Sequence, residues 1–181
     1  QLIKWYFTYK PTYIPHLFKT NTIIDYAKKY KIKNLIETGT YYGEAIDATK
    51  QYFSRIYSIE ISKELYRIIK RVFSKEKKIR LFLGDSKTIL PQLLRKINQR
   101  CLFWLDAHTV TKIDFNFDNS PLSQEITAIS KYRKYKHIIL IDDAHFFKEE
   151  NSYKKIKMFI KKGFPNYKIK IKTDIIQVYP A

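Results

Sequence analysis

Short apolar runs alternate with amphipathic stretches along the chain, and this regularity narrows the possible folds more than any other feature. "CLFWLD" (101–106) and "HIILID" (137–142) carry no polar alternation, as expected of strands buried on both faces. Residues 33–37, "RIYSIE" (55–60) and "KIRLFLGD" (78–85) read as further strands. Between them the spacing predicts helices over 21–31, with Asn21 or Thr22 as cap, over 44–53, and over 63–73 behind Ser62. More follow over 86–97, from Pro121 to about Arg133, and over 153–162, stopping at Gly163. The tail "YKIKIKTDIIQVYP" instead alternates strictly on both sides of Thr173-Asp174, which predicts a hairpin. Repeated strand–helix units closed by an antiparallel pair make an α/β sheet with helices on both faces.

A length of 181 residues suits one domain over 1–181. Residues 1–20, with Trp5, Tyr6, Phe7 and Tyr13, are expected to form a lid or a homodimer contact, and 21–181 the core. The single Cys101 excludes an internal disulfide and fits a reducing compartment. No stretch approaches the ~20 apolar residues of a membrane span, so the expected location is cytoplasmic. The net charge of +18 raises a nucleic-acid partner. The lysines are nevertheless spread out, in clusters such as "KEKK" (75–78) and "KKIKMFIKK" (154–162) that suit solvated helix faces. The loop "TVTKIDFNFDNS" (109–120) is long for a compact domain and points to function.

The acids are placed unevenly. Glu37, Glu60, Asp106 and Asp142, with Asp143 behind it, end strands, and Asp85 follows Gly84 after another. In an open parallel sheet the carboxyl ends share one edge, where ligands bind. Gly39 and Gly43 in "ETGTYYG" allow a tight turn and close approach of a ligand to the backbone. Glu37 beside them would repel a diphosphate and attract an ammonium group. Glu60 lies 21 positions past Gly39, close to the spacing of about 20 at which an acid binds ribose hydroxyls. A ligand with a ribose, a cationic amino-acid end and no phosphate is S-adenosylmethionine.

The stretches "IPHLFK", "IETGTYYGE", "IYSIEIS", "LGDS", "LFWLDAH" and "HIILIDDAH" follow one another in an order and spacing that resembles class I S-adenosylmethionine-dependent methyltransferases over nearly the whole chain. The subgroup carrying these motifs is similar to macrocin-type O-methyltransferases. The resemblance implies a Rossmann-like, doubly wound, seven-stranded sheet, mostly parallel with a C-terminal antiparallel hairpin. It assigns Glu37, Thr38, Gly39 and Gly43 to the methionine end of the cofactor and Glu60 to the ribose diol. Ile61 would pack on adenine, Asp85 would accept from the adenine amino group with Ser86 beside it, and Asp106 would lie beneath the reacting methyl. One departure falls after the fourth strand, where "DAHTVTK" replaces the family's glycine-rich "DGHYSGG", so that neither the acceptor loop's shape nor the substrate carries over from the resemblance.

Methyl transfer from a sulfonium is an in-line displacement in which the protein positions reactants and manages one proton. Asp106, Asp142 and Asp143 form an oxygen-rich set suited to Mg²⁺ or another hard divalent ion, which would lower the pKa of an acceptor hydroxyl. The macrocin-type resemblance places a metal on acids at these strand ends, with His108 as general base. His108 could equally position the acceptor or ligate the metal, and Asp142-Asp143 could simply cap a turn. His145 shares the rim, His137 starts a strand at the opposite edge, and Trp104 reads as core. The expected reaction is O-methylation of a small molecule, a sugar or glycan precursor first. RNA methylation ranks behind it, because Asp142 and Asp143 stand where RNA ribose methyltransferases typically place a lysine. A catalytically silent scaffold does not need Glu37, Glu60 and Asp85 together, and a dehydrogenase would need GxGxxG.

Overall fold

The computed structural model of the chain describes residues 15–107, 120–147 and 150–181. The N-terminal aromatics, His108 and most of the 109–120 loop lie outside the described residues. Seven strands form one sheet: β1 (Asn34–Thr38), β2 (Arg55–Glu60), β3 (Ile79–Leu83), β4 (Leu102–Leu105), β5 (Ile138–Ile141), β6 (Tyr167–Lys172) and β7 (Ile175–Pro180). Their order is β3-β2-β1-β4-β5-β7-β6. The first five are parallel, and β7 pairs antiparallel with both β5 and β6. The chain therefore has the doubly wound architecture expected, with the strand order reversing between β1 and β4, the position at which α/β sheets open a binding crevice.

Six described helices cover the sheet: α1 (His16–Lys29), α2 (Glu44–Thr49), α3 (Lys63–Val72), α4 (Ser86–Leu94), α5 (Pro121–Ser130) and α6 (Glu150–Gly163). Alternate strand residues divide the interior. Leu35, Ile56, Leu102, Trp104 and Leu140 pack with α1, α2 and α3. Ile36, Ile59, Phe103, Leu105 and Ile139 pack with α4, α5 and α6 on the other face. Both faces being apolar explains the unalternating runs. Among the described residues no helix is long and apolar enough to cross a membrane.

Several boundaries differ from the sequence reading. The first helix begins at His16, ahead of Asn21, following Pro15. Its polar run 20–22 looked like a cap but lies inside the helix. The Thr20 hydroxyl donates to the His16 and Leu17 carbonyls and that of Thr22 to the Phe18 carbonyl. Residues 16–20, expected in the lid or interface segment, form the first turn of this helix. The helix after Gly43 runs only to Thr49 before a 3₁₀ turn over Lys50–Tyr52. Gly163 closes α6 as expected, for a different reason: a Cβ there would lie 2.9 Å from Ser130 Cβ of α5. The hairpin turn is as predicted, with Thr173 and Asp174 both left-handed (φ 52° and 57°), as a two-residue type I′ connection requires.

Candidate active site

Because the first five strands are parallel, their carboxyl ends meet on one rim. Glu37, at the end of β1, is 1% exposed and accepts a 2.5 Å hydrogen bond from Ser58 Oγ of β2. Burial pushes its carboxyl up to about 8, against the Ser58 hydrogen bond and with Glu60 adding repulsion. The chain then turns at Gly39 (φ 85°), where a Cβ would come within 2.5 Å of the Asp106 carbonyl oxygen. Only glycine lets β1 pass so close to the end of β4.

Glu60 is held from both sides by backbone amides, Tyr41 N at 2.9 Å and Ser62 N at 2.8 Å. Tyr41 itself is left-handed (φ 48°), so the 39–43 turn and the Glu60 carboxylate fix each other. Beside it Ile61 is 71% exposed. Asp85 accepts from Lys87 N at 3.0 Å as the N-cap of α4 and meets Lys87 Nζ at 3.2 Å.

A cleft of about 460 Å³ brings together Gly39, Glu60, Ile61, Asp85, Ser86 and Asp106. Among the described residues that line it none is Lys or Arg, in a chain carrying 35 of them. A smaller cavity of about 180 Å³ adjoins it, sharing Gly39, Tyr41 and Asp106, and adds Glu37, Asp142 and Asp143. Thr38 and Gly43 line neither. Gly43 (φ 78°) backs onto Phe73, whose Cε2 would be 2.8 Å from a Cβ there.

Asp106, Asp142 and Asp143 each offer an oxygen within 4.8 Å of the others. Burial, with Asp142 and Asp143 adding repulsion, pushes the Asp106 carboxyl up to about 8. Asp143 is left-handed (φ 50°), and its N–H donates to Asp142 Oδ1 at 2.7 Å. That turn folds the two carboxylates together. The oxygen set suits a hard divalent ion in kind and spacing, yet two of its members already hold a cation. Lys19 of α1 reaches Asp142 Oδ2 at 2.8 Å and Asp143 Oδ1 at 2.9 Å. Burial opposes the charge on Lys19, but the two aspartates outweigh it and hold the ammonium above the ordinary lysine range.

Lys19 carries no role in the sequence reading, although it stands in the "IPHLFK" stretch. A second omission is Glu125 on α5, 1% exposed. Burial pushes its carboxyl up to about 7, with the Ser86 and Thr38 hydroxyls and Asp85 as its charged and polar neighbours. Its position beside Leu122, Ile126 and Ile129 on the apolar side of α5 was the available signal.

His145 lies on the rim, its Nδ1 2.6 Å from Asp174 Oδ2 while its backbone N–H donates to Asp174 Oδ1 at 2.7 Å. His137 is fully buried with Nδ1 accepting from Cys101 N at 3.1 Å, a structural position. Trp104 is 2% exposed and belongs to the core.

No protein-family model matches the sequence, and no curated protein matches it. Solved structures do match in fold. A Podospora anserina methyltransferase bound to S-adenosylhomocysteine superposes with a TM-score of 0.62 at 15% identity, over 90% of this chain and 78% of that one. A Bacillus cereus O-methyltransferase, also in complex with S-adenosylhomocysteine, gives 0.61 at 13% identity, over 93% and 84%. The 23S rRNA methyltransferase ErmE gives 0.59 at 13%, over 89% and 68%. The chain has the Rossmann-like fold that these methyltransferases share.

Proposed function

We propose that this chain is an S-adenosylmethionine-dependent O-methyltransferase that methylates a hydroxyl of a small molecule, with a sugar or glycan precursor as the favoured acceptor. The observation that carries the reading is the 460 Å³ cleft, lined by Glu60, Asp85 and Asp106 and, among the described residues, by no Lys or Arg in a protein of net charge +18. Such a cleft rejects phosphates and welcomes a nucleoside with a cationic end. In this reading Glu60 binds the ribose diol, Ile61 supports adenine, Asp85 and Ser86 face its polar edge, and Glu37 and Gly39 frame the methionine end, with Thr38 and Gly43 behind them shaping the turn rather than touching the ligand.

The acceptor oxygen attacks the sulfonium methyl in line; the S–CH₃ bond breaks, the O–CH₃ bond forms, and S-adenosylhomocysteine departs. Asp106 sits where the two cavities meet and orients the acceptor, and His108 takes the hydroxyl proton. A divalent ion on Asp106, Asp142 and Asp143 would lower the hydroxyl pKa, but its entry requires Lys19 to leave Asp142 and Asp143.

Calorimetric titration with S-adenosylhomocysteine tests the cofactor half: binding is expected, weakened at least about tenfold by Glu60→Ala through loss of a charge-assisted pair. Release of S-adenosylhomocysteine against a panel of sugars tests the rest. Asp106→Ala is expected to lower turnover by about 10²-fold or more, the range of a lost positioning or proton-handling group. No binding heat, or full turnover in Asp106→Ala, refutes the proposal.

A further inference from the structure

We propose that Lys19 is the resident cation of the carboxylate rim, occupying the place a divalent ion would take, so that lysine and metal exclude each other. The inference deepens the function proposed above at its acceptor end.

Lys19 is not a wandering surface lysine. Its side chain is 16% exposed, and that of its partner Asp142 is 3% exposed. The helix that carries it is pinned just after this position by Thr20 and Ile23, both buried. The partners are equally fixed: Asp142 ends a strand buried along its length, and the left-handed Asp143 donates its N–H to Asp142 Oδ1. Two segments distant in sequence thus bring one ammonium to two adjacent carboxylates at 2.8 and 2.9 Å.

A metal bridging these carboxylates would need oxygens at roughly 2.0–2.6 Å. With all three donor oxygens inside 4.8 Å of one another, such an ion and the Lys19 ammonium would crowd the same oxygens with like charge. One monovalent, hydrogen-bonding group therefore does in this chain what a hard ion would do on bare acids. It holds Asp142 and Asp143 in place and offsets their charge beside Asp106. Removing it takes away the ion pair that offsets Asp142 and Asp143, a charge that a metal can then supply.

Mn²⁺ alone is the probe, titrated into the metal-stripped full chain and followed by electron paramagnetic resonance and thermal melting. Neither cofactor nor turnover enters, so the outcome is distinguishable from failure of the methyltransferase reading. The wild type and Lys19→Arg are expected to leave Mn²⁺ free. Lys19→Ala and the size-matched Lys19→Gln are expected to bind it at least tenfold more tightly and to melt higher in its presence. Adding Asp142→Asn to either should abolish the gain. Wild-type binding that matches Lys19→Gln and is lost in Asp142→Asn overturns the proposal, as does a folded Lys19→Gln that gains no Mn²⁺. Should Lys19→Ala fail to fold, Lys19→Gln and the wild type decide the matter alone.

Discussion

Glu37 shows how a residue can be read correctly in place and incompletely in state. Its position at the end of β1 follows from the apolar run before it and the glycine after it. Its protonation does not, because that depends on Ser58, Glu60 and complete burial contributed by other strands. With a carboxyl raised from 4.5 to about 8, the folded chain binds a proton there that the unfolded chain releases. The stabilisation is full below about pH 4.5 and fades as pH rises to about 8. Denaturation midpoints of the free protein should therefore fall over this window, and Glu37→Gln should flatten that decline. A slope unchanged by the substitution would mean that Glu37 is ionised in the free site. Lys19 and Glu125 escaped the sequence reading for a related reason. A lone lysine in a chain rich in lysine, and a glutamate on an amphipathic helix, look like surface until three-dimensional neighbours bury them.

The helices and strands were legible where local chemistry dominates. Ser62 accepts from Leu65 N at 3.3 Å as a cap, Pro121 opens α5, and the Thr173-Asp174 turn closes the hairpin. Boundaries failed where packing overrides local signals, as at the start of α1, whose internal threonines satisfy themselves on backbone carbonyls. Gly163 is the instructive case, since helix-ending glycines usually serve a left-handed cap and this one serves the contact between α6 and α5. Gly163→Ala would force its new methyl to within 2.9 Å of Ser130 Cβ. It should destabilise the fold by about 1–3 kcal/mol, the usual cost of overpacking, measured by urea unfolding. The pairing Gly163→Ala with Ser130→Gly should recover most of it. A Gly163→Ala chain as stable as the wild type would show that the two helices can part without cost.

Across the molecule, excess positive charge surrounds an acidic cleft. The charge of +18 and the gathering of acids at the strands' carboxyl ends were both readable in the sequence, but the Lys19 ammonium set among those acids was not. This arrangement separates two kinds of binding. Polyanions such as RNA should attach through dispersed lysines and lose affinity steeply with added salt. S-adenosylhomocysteine, bound as proposed in a cleft whose described lining includes no Lys or Arg, should bind almost independently of salt. A cofactor affinity that falls in step with RNA affinity would instead place a basic group in the binding site and favour the nucleic-acid reading.

The hairpin carries a last implication. β7 follows β6 along the chain yet lies inside it in the sheet, against β5, and its turn supplies the Asp174 groups that grip Ala144 and His145. During synthesis β5 must wait with a bare flank until both arms have left the ribosome. The rim around His145 then sets only once β7 has paired, and a nascent chain stalled before Ile175 would display a sticky edge in place of a closed sheet.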